Sequence, residues 1–372
     1  MALNTTFAWG GALRLDSTKS PFSSPVPTTH KAFTNVKPVS WKRHNIGGIL
    51  ITIYGLEEVA RHPQSITCLW LLHGRGDTQD SMAYTASGLL EAWNSQRKDM
   101  TQKGLICICF DQRNHGSRMI EADHNVSWKQ GNATHGQDMF NSYTGTAQDL
   151  SLLMTQLPMY LPFKIDEHIC GGVSLGGHAS WVAVMNDPRI VGAIIVVGCP
   201  DYTTMMTDRA IRSKVHSTLT SDPPGRNFLG SSDFPQSLLA AVEQYDPAGM
   251  LYAELDIYDG KRDLISTPSA AEQKRLRPVL TKALAGKKIL CLSGGKDRLV
   301  PYGCGEGFLS WLKRAIDQPT GWAGDLKIRL HDFIDPAAGH EFSAPMRKVA
   351  QDWLCAFLDG DEVDSGKMQS KI

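Results

Sequence analysis

The chain has 372 residues, 42% of them hydrophobic and 20% charged, with a formal net charge of +0 and a sequence pI near 7.2. That length holds one large core with an inserted subdomain, or two domains. The neutral charge balance gives no electrostatic footprint for nucleic acid or an anionic membrane, and no apolar run reaches the ~18 residues of a membrane span. The first eleven residues lack a basic start followed by an apolar block, so no secretory signal is expected. Residues 1–45, rich in Ser, Thr and Pro, read as an irregular lead-in with room for one edge strand. Residues 48–54 (G-I-L-I-T-I-Y) predict a strand. Residues 66–72 (I-T-C-L-W-L-L) form a continuous apolar run, the sign of a strand buried on both faces. A helix is expected over 81–96 and a second buried strand over 105–110. Residues 117–143 read as a long polar loop with a short helix, and 146–157 as an amphipathic helix with Leu150, Leu153, Met154 and Leu157 on one face.

The stretch 164–188 organises the rest. Ile165, Ile169 and Val173 suit a buried strand. Glycines 171, 172, 176 and 177 then surround Ser174, and apolar residues at helical spacing run to Asn186-Asp187-Pro188, which stops the helix. Gly172-Val173-Ser174-Leu175-Gly176 fits the G-x-S-x-G nucleophile elbow, which holds a serine on a strained strand-to-helix turn with its Oγ clear of the sheet. A buried strand over 190–197 follows. No buried strand is expected between 201 and 286; helical pieces over 203–216, 235–244 and 270–284 read as a cap inserted into the sheet domain. The sheet resumes at 288–293, followed by a helix over 305–316, a strand over 326–333 and a helix over 345–358. The expected organisation is a sheet core over 46–200 and 287–359, a helical cap over 201–286 and a polar tail over 360–372. Alternating strands and helices predict a doubly wound, mostly parallel sheet covered on both faces.

A serine hydroxyl needs an adjacent base, and the base needs an orienting acid. Ser174, Asp297 and His340 each lie just beyond an expected strand, in the chain order Ser, Asp, His stated for α/β-hydrolases. Asp297 is favoured over Asp325, Asp332 and Asp335 because its loop directly follows a buried strand. His178, on the elbow helix, and His331, inside a strand, read as packing or surface histidines. The amides of Arg75, at the end of the first buried strand, and Leu175, after the nucleophile, are the expected oxyanion donors. Asp77 reads as a brace for that turn, and 111–116 as a structural turn of the same rim, with His115 its most notable residue. Met205, Trp322 and Phe342 read as core packing rather than pocket wall. Six of the eight cysteines (Cys68, Cys107, Cys109, Cys170, Cys199 and Cys291) lie in apolar strand-like runs, as expected of small hydrophobes in a reducing compartment. No CxxC pair or Cys/His cluster points to a metal, and the chemistry calls for no organic cofactor.

The blocks L-L-H-G-R-G-D-T, G-V-S-L-G-G, G-G-K-D-R-L-V-P and A-G-H-E resemble, in the same order, those of α/β-hydrolases of the serine-hydrolase type, across residues 66–358. They are similar to the carboxylesterase, thioesterase and dienelactone-hydrolase-like branches. D-Q-R-N-H-G-S resembles the D-x-R-G-x-G-x-S turn of these enzymes, with Asn114 and His115 as departures. The whole chain is similar to fungal α/β-hydrolases, some of them from secondary-metabolite or toxin pathways. The resemblance implies an α/β-hydrolase sheet with an inserted helical cap, a small-molecule acyl substrate, and hydrolysis of an ester or thioester. A same-fold acyltransferase, cyclase or C–C bond-cleaving enzyme, and a non-catalytic binder on the scaffold, remain open readings. The serine at the elbow argues against epoxide hydrolase or dehalogenase chemistry, which places a carboxylate there. The final tripeptide, Ser370-Lys371-Ile372, resembles the S-K-L address of the peroxisomal import receptor, so peroxisome and cytosol are the two expected locations.

Overall fold

A computed structural model describes residues 18–33, 35–59, 65–97, 103–256 and 267–360. The tripeptide Ser370-Lys371-Ile372 lies outside them. Eight strands form one sheet: β1 (Trp41–Ile46), β2 (Ile49–Tyr54), β3 (Ile66–Leu72), β4 (Gly104–Phe110), β5 (Glu167–Val173), β6 (Ile190–Val196), β7 (Lys288–Gly294) and β8 (Arg329–Asp335). The helices are α1 (Leu56–Val59), α2 (Ala83–Gln96), α3 (His135–Gln156), α4 (Leu175–Asn186), α5 (Tyr202–Ser213), α6 (His216–Leu219), α7 (Gln236–Tyr245), α8 (Pro247–Tyr252), α9 (Ala270–Leu284), α10 (Gly303–Ile316) and α11 (Ala344–Asp359).

Strand order is β1-β2-β4-β3-β5-β6-β7-β8. β2 pairs antiparallel with both β1 and β4, and every later pairing is parallel. β3 and β4 are buried at every position, as central strands covered on both faces must be. The pleat divides their side chains between two cores. Leu69, Leu71, Cys107 and Cys109 face α2 and α11, while Cys68, Trp70, Ile106 and Ile108 face α3 and α4. All eight cysteines are buried free thiols. The chain steps from β3 to β4 on one side and returns to β5 on the other. The switch point of the sheet therefore lies between β3 and β5, where doubly wound folds open a crevice beyond their strand ends. Leu72 stands opposite Gly172 in that register, which brings 73–77 beside Ser174. The doubly wound, mostly parallel α/β-hydrolase sheet expected from the sequence is the observed architecture, with α5–α9 inserted between β6 and β7.

Two local expectations differ from the structure. The helix expected from 146 begins eleven residues earlier, at His135. Its first half carries weak helix formers such as Thr144 and Gly145, yet it forms because Met139, Phe140 and Tyr143 are buried there. The aromatic pairs Phe140–Tyr202 and Tyr143–Tyr202, with centroids 5.2 and 5.5 Å apart, tie it to α5. β1 is the edge strand for which the lead-in left room; it is mostly uncovered, so its sequence W-K-R-H-N-I shows no continuous apolar run. β8 starts at Arg329 because Gly324–Leu326 closes a 3-10 turn and Lys327 adopts a left-handed conformation (φ 54°). Among the described residues, no helix is long and apolar enough to cross a membrane.

Candidate active site

The turn after β5 has no room for side chains on either flank of Ser174. A Cβ on Gly172 would overlap the Gly176 carbonyl, and one on Gly176 would overlap the carbonyl oxygens of Leu72 and His73. The glycine spacing is thus the steric condition for α4 to start directly after β5. Ser174 is forced to φ 57° and ψ −114°, a conformation L-residues rarely adopt and one that stores strain. Its N–H donates to Val196 O at 2.9 Å, anchoring the turn to β6. Between 171 and 180 only Ser174 is not fully buried.

His340 sits in the loop between β8 and α11, with Asp297 in the loop after β7. His340 Nδ1 lies 2.7 Å from Asp297 Oδ2, and His340 Nε2 lies 2.8 Å from Ser174 Oγ. An ionised carboxylate only accepts, so the proton on this neutral ring belongs on Nδ1, leaving Nε2 to accept the serine hydroxyl. Asp297 is 6% exposed, and its Oδ1 accepts the amides of Leu299 (2.8 Å) and Val300 (2.9 Å). The two loops are stitched together by Gly295 N–H to Asp335 O (2.8 Å) and Lys296 N–H to Ala338 O (2.9 Å). Gly294 leaves room for the His340 loop, since a Cβ there would overlap Gly339 O.

The first oxyanion candidate, Leu175 N–H, opens α4, where first-turn amides have no intrahelical acceptor. The second depends on the Gly74–Arg75 peptide. Gly74 O accepts from His73 Nδ1–H at 2.8 Å and from Asp77 N–H at 3.2 Å. In a trans peptide the N–H points opposite to the carbonyl, so Arg75 N–H points away from the His73 ring. Gly74 also lies against Ser174; a Cβ there would be 3.8 Å from Ser174 Cβ and 2.9 Å from Asp77 Oδ2. His73 Nε2 accepts Gln112 N–H at 3.0 Å, and burial pushes its imidazole down to about 4, which keeps it neutral. Residues 111–117 form the neighbouring turn, with Asp111 accepting from Gln79 N–H (2.7 Å) and from Ser117 N–H (2.8 Å). His115 packs on His73 there, with ring centroids 5.5 Å apart.

The competing groups have other work. His178 is 2% exposed, its Nδ1 accepts Cys199 N–H at 3.0 Å, and burial drives it down to about 3. His331 lies within β8. Asp335 accepts from Ser343 Oγ (2.6 Å) and Ala337 N–H (3.0 Å). Asp332 accepts from Tyr302 and Lys313, and Asp325 pairs with Arg277.

A cavity of about 210 Å³ opens over Ser174 and His340, with Arg75, Asp77, Met139 and Arg209 among its walls. Met205 is buried in the core, Phe342 packs on Phe33 and Trp322 on Trp311, and none of the three lines this cavity. Arg209 and Met139 escaped sequence reading. They reach the site from α5 and α3, and no motif surrounds either. Among the described residues no cluster of His, Cys, Asp and Glu could hold a metal ion.

No protein-family model and no curated protein matches the sequence. Solved structures do resemble it. One is a 2,6-dihydroxy-pseudo-oxynicotine hydrolase, 15% identical over 88% of this chain and 70% of that one, with a TM-score of 0.44. Another is Est1E of Butyrivibrio proteoclasticus with ferulic acid bound, 14% identical over 87% of this chain and 99% of that one, with a TM-score of 0.43. A third is a puromycin-hydrolyzing peptidase of Mycobacterium tuberculosis, 13% identical, with a TM-score of 0.49; the match covers 88% of this chain and 40% of the peptidase. Similarity at that level says nothing about the reaction.

Proposed function

We propose that this chain is a serine hydrolase that cleaves a carboxylic ester or thioester through an acyl-enzyme. The observation that carries the reading is the hydrogen-bond chain from Ser174 through His340 to Asp297, at 2.8 and 2.7 Å, mounted on a strained elbow. Ser174 Oγ attacks the acyl carbonyl while His340 Nε2 takes its proton. The amides of Leu175 and Arg75 hold the oxyanion, and Asp297 holds the imidazolium. Collapse expels the alcohol or thiol, which leaves with the proton from His340. Water then attacks the acyl-enzyme with His340 as base, releasing the acid and restoring the serine. Side chains supply the nucleophile and the base, and backbone amides stabilise the oxyanion formed on the substrate carbonyl, so the sequence of steps draws on no metal or organic cofactor. Residues 201–286 act as a helical cap, a role supported by Arg209 of α5 in the cavity wall. The resemblance to fungal hydrolases of secondary metabolism motivates a substrate of that kind. The C-terminal tripeptide motivates import into peroxisomes, testable with an amino-terminal fluorescent fusion carrying or lacking Ser370-Lys371-Ile372.

The direct test is labelling by a fluorophosphonate probe, with turnover of p-nitrophenyl esters and acyl-CoA thioesters. Folded wild-type protein should label and Ser174→Ala should not. Folded wild-type protein that fails to label would sink the reading. Product analysis then separates hydrolysis from acyl transfer, cyclisation and C–C cleavage.

A further inference from the structure

The cavity over Ser174 carries more positive charge than ester hydrolysis needs. Arg75 and Arg209 both line it. Among the described residues the Arg209 guanidinium meets only uncharged acceptors: Leu299 O at 3.0 Å, Met139 Sδ at 2.9 Å, Met205 Sδ at 3.9 Å and His135 Nε2 at 3.4 Å. His135 is neutral, pushed down to about 3 by burial and then by the two arginines. Arg75 donates to Asn125 O at 3.2 Å. Among the described residues neither guanidinium has a carboxylate partner, whereas Arg43, Arg113, Arg189 and Arg212 pair with Asp80, Asp149, Asp187 and Asp208. Burial and then the charge of Arg75 bring Arg209 down to about 10, so the two cations are close enough to repel. Among the described residues the one carboxylate in the wall is Asp77, which is not among the groups acting on either arginine. Two half-buried like charges without a counter-ion among the described residues are costly. The cost is recovered if an anion completes the set, and Arg suits a carboxylate through its planar donors.

We propose that Arg75 and Arg209 form a carboxylate-binding subsite, so that the acyl substrate carries a free carboxylate a few bonds from the scissile carbonyl. The inference rests on the hydrolase reading for the position of that carbonyl. Both guanidinium-bearing residues and Ser174 line one cavity of about 210 Å³, so a short chain suffices to span them. Half-esters and half-thioesters of short dicarboxylic acids have this chemistry when the carboxylate is in the acyl half. Acyl esters of small hydroxy acids have it when the carboxylate is in the leaving half.

Two matched pairs of substrates distinguish the halves: mono-p-nitrophenyl glutarate against p-nitrophenyl pentanoate, and 4-carboxyphenyl butyrate against phenyl butyrate. Wild-type kcat/KM should favour the anionic member of one pair by about tenfold or more. Arg209→Gln should bring the ratio near one, and Arg209→Lys should keep part of it. Glutarate should raise the Tm of Ser174→Ala protein where neutral glutaramide does not, and adding Arg209→Gln should abolish the shift. Arg75→Gln, on a different element, repeats the test if Arg209→Gln fails to fold. Equal rates within both pairs, or stabilisation by glutarate no greater than by glutaramide, overturn the subsite. If no ester turns over at all, the hydrolase reading falls and the glutarate shift alone decides this one.

Discussion

The elbow around Ser174 and helix α5 border the same cavity, yet different physics holds each in place. The elbow is fixed by main chain against main chain. Gly172, Gly176, Gly177 and Gly198 sit where an added Cβ would strike backbone atoms, and Ser180 Oγ adds one local hydrogen bond to Gly176 O at 2.8 Å. α5 is fixed by side chains, through the buried packing of Tyr202, Met205 and Met206 and through polar ties, most of them over long sequence distances. Its N-cap Asp201 accepts from Thr204 N–H at 2.9 Å and from Tyr252 OH at 3.0 Å. Its Arg209 and Arg212 donate to the carbonyls of Leu299 and Arg298, beside Asp297. Steric contacts between backbones leave one arrangement and tolerate no substitution, which suits a nucleophile. Polar ties can be exchanged one at a time, which suits the part proposed to read the substrate.

Deleting the elbow hydroxyl tests the division most severely. Ser174→Ala should lower kcat/KM by about a hundredfold or more, the scale of losing a covalent nucleophile. It removes one atom from a strained turn, so urea melts should show no loss of stability. The steric side is tested next by a pair of glycines. Gly176→Ala pushes a methyl into two backbone carbonyls and should cost about 3 kcal/mol or more. Gly307→Ala, within α10 and with nothing within 4 Å of the new methyl, should stabilise by about 0.5–1 kcal/mol. Equal effects at the two positions would mean that the elbow can relax.

His73 lies between the two regimes, holding the Gly74–Arg75 peptide through its ring. His73→Ala should lower kcat by about tenfold or more with KM less affected, because it loosens a donor that acts on the transition state. Because His73 is a positioning residue, fluorophosphonate labelling of Ser174 should slow without being lost.

These differences explain what the sequence disclosed. The elbow was legible because its constraint is local: small residues two before and two after Ser174 are required wherever strand passes to helix this closely. Asp297 and His340 were legible by their position after strands. The first half of α3 was not, because burial of Met139, Phe140 and Tyr143 against α5 outweighs the weak propensity of its neighbours. β1 was legible only as room for an edge strand in the lead-in, because its mostly uncovered pattern hides its bounds and its pairing with β2. Arg209 was least legible of all, since its neighbours at 135, 139 and 299 meet it only in space.

The smallest expected effect concerns how the inserted helices are attached. Asp246, 2% exposed, caps α8 by accepting Gly249 N–H at 3.1 Å and also accepts Tyr202 N–H at 3.4 Å. Burial, and then the charge of Asp201, push its carboxyl well above the usual value of 3.8. Tyr143, Tyr202 and Cys199 are the other titratable groups around it, and burial raises all three as well. The folded state therefore holds the Asp246 proton more tightly than the unfolded chain does. As pH rises past 3.8 the unfolded chain releases that proton first, so this residue's contribution to stability falls until the folded carboxyl also ionises. Asp246→Asn has no proton to lose and keeps an oxygen to cap α8. Urea unfolding at rising pH should therefore show the difference between variant and wild type moving toward the variant. A constant difference would mean that the amides of α8 hold an ionised carboxylate, making this tie as insensitive to pH as the elbow. The elbow glycines carry no titratable group, so Gly176→Ala should cost the same at every pH where the protein folds.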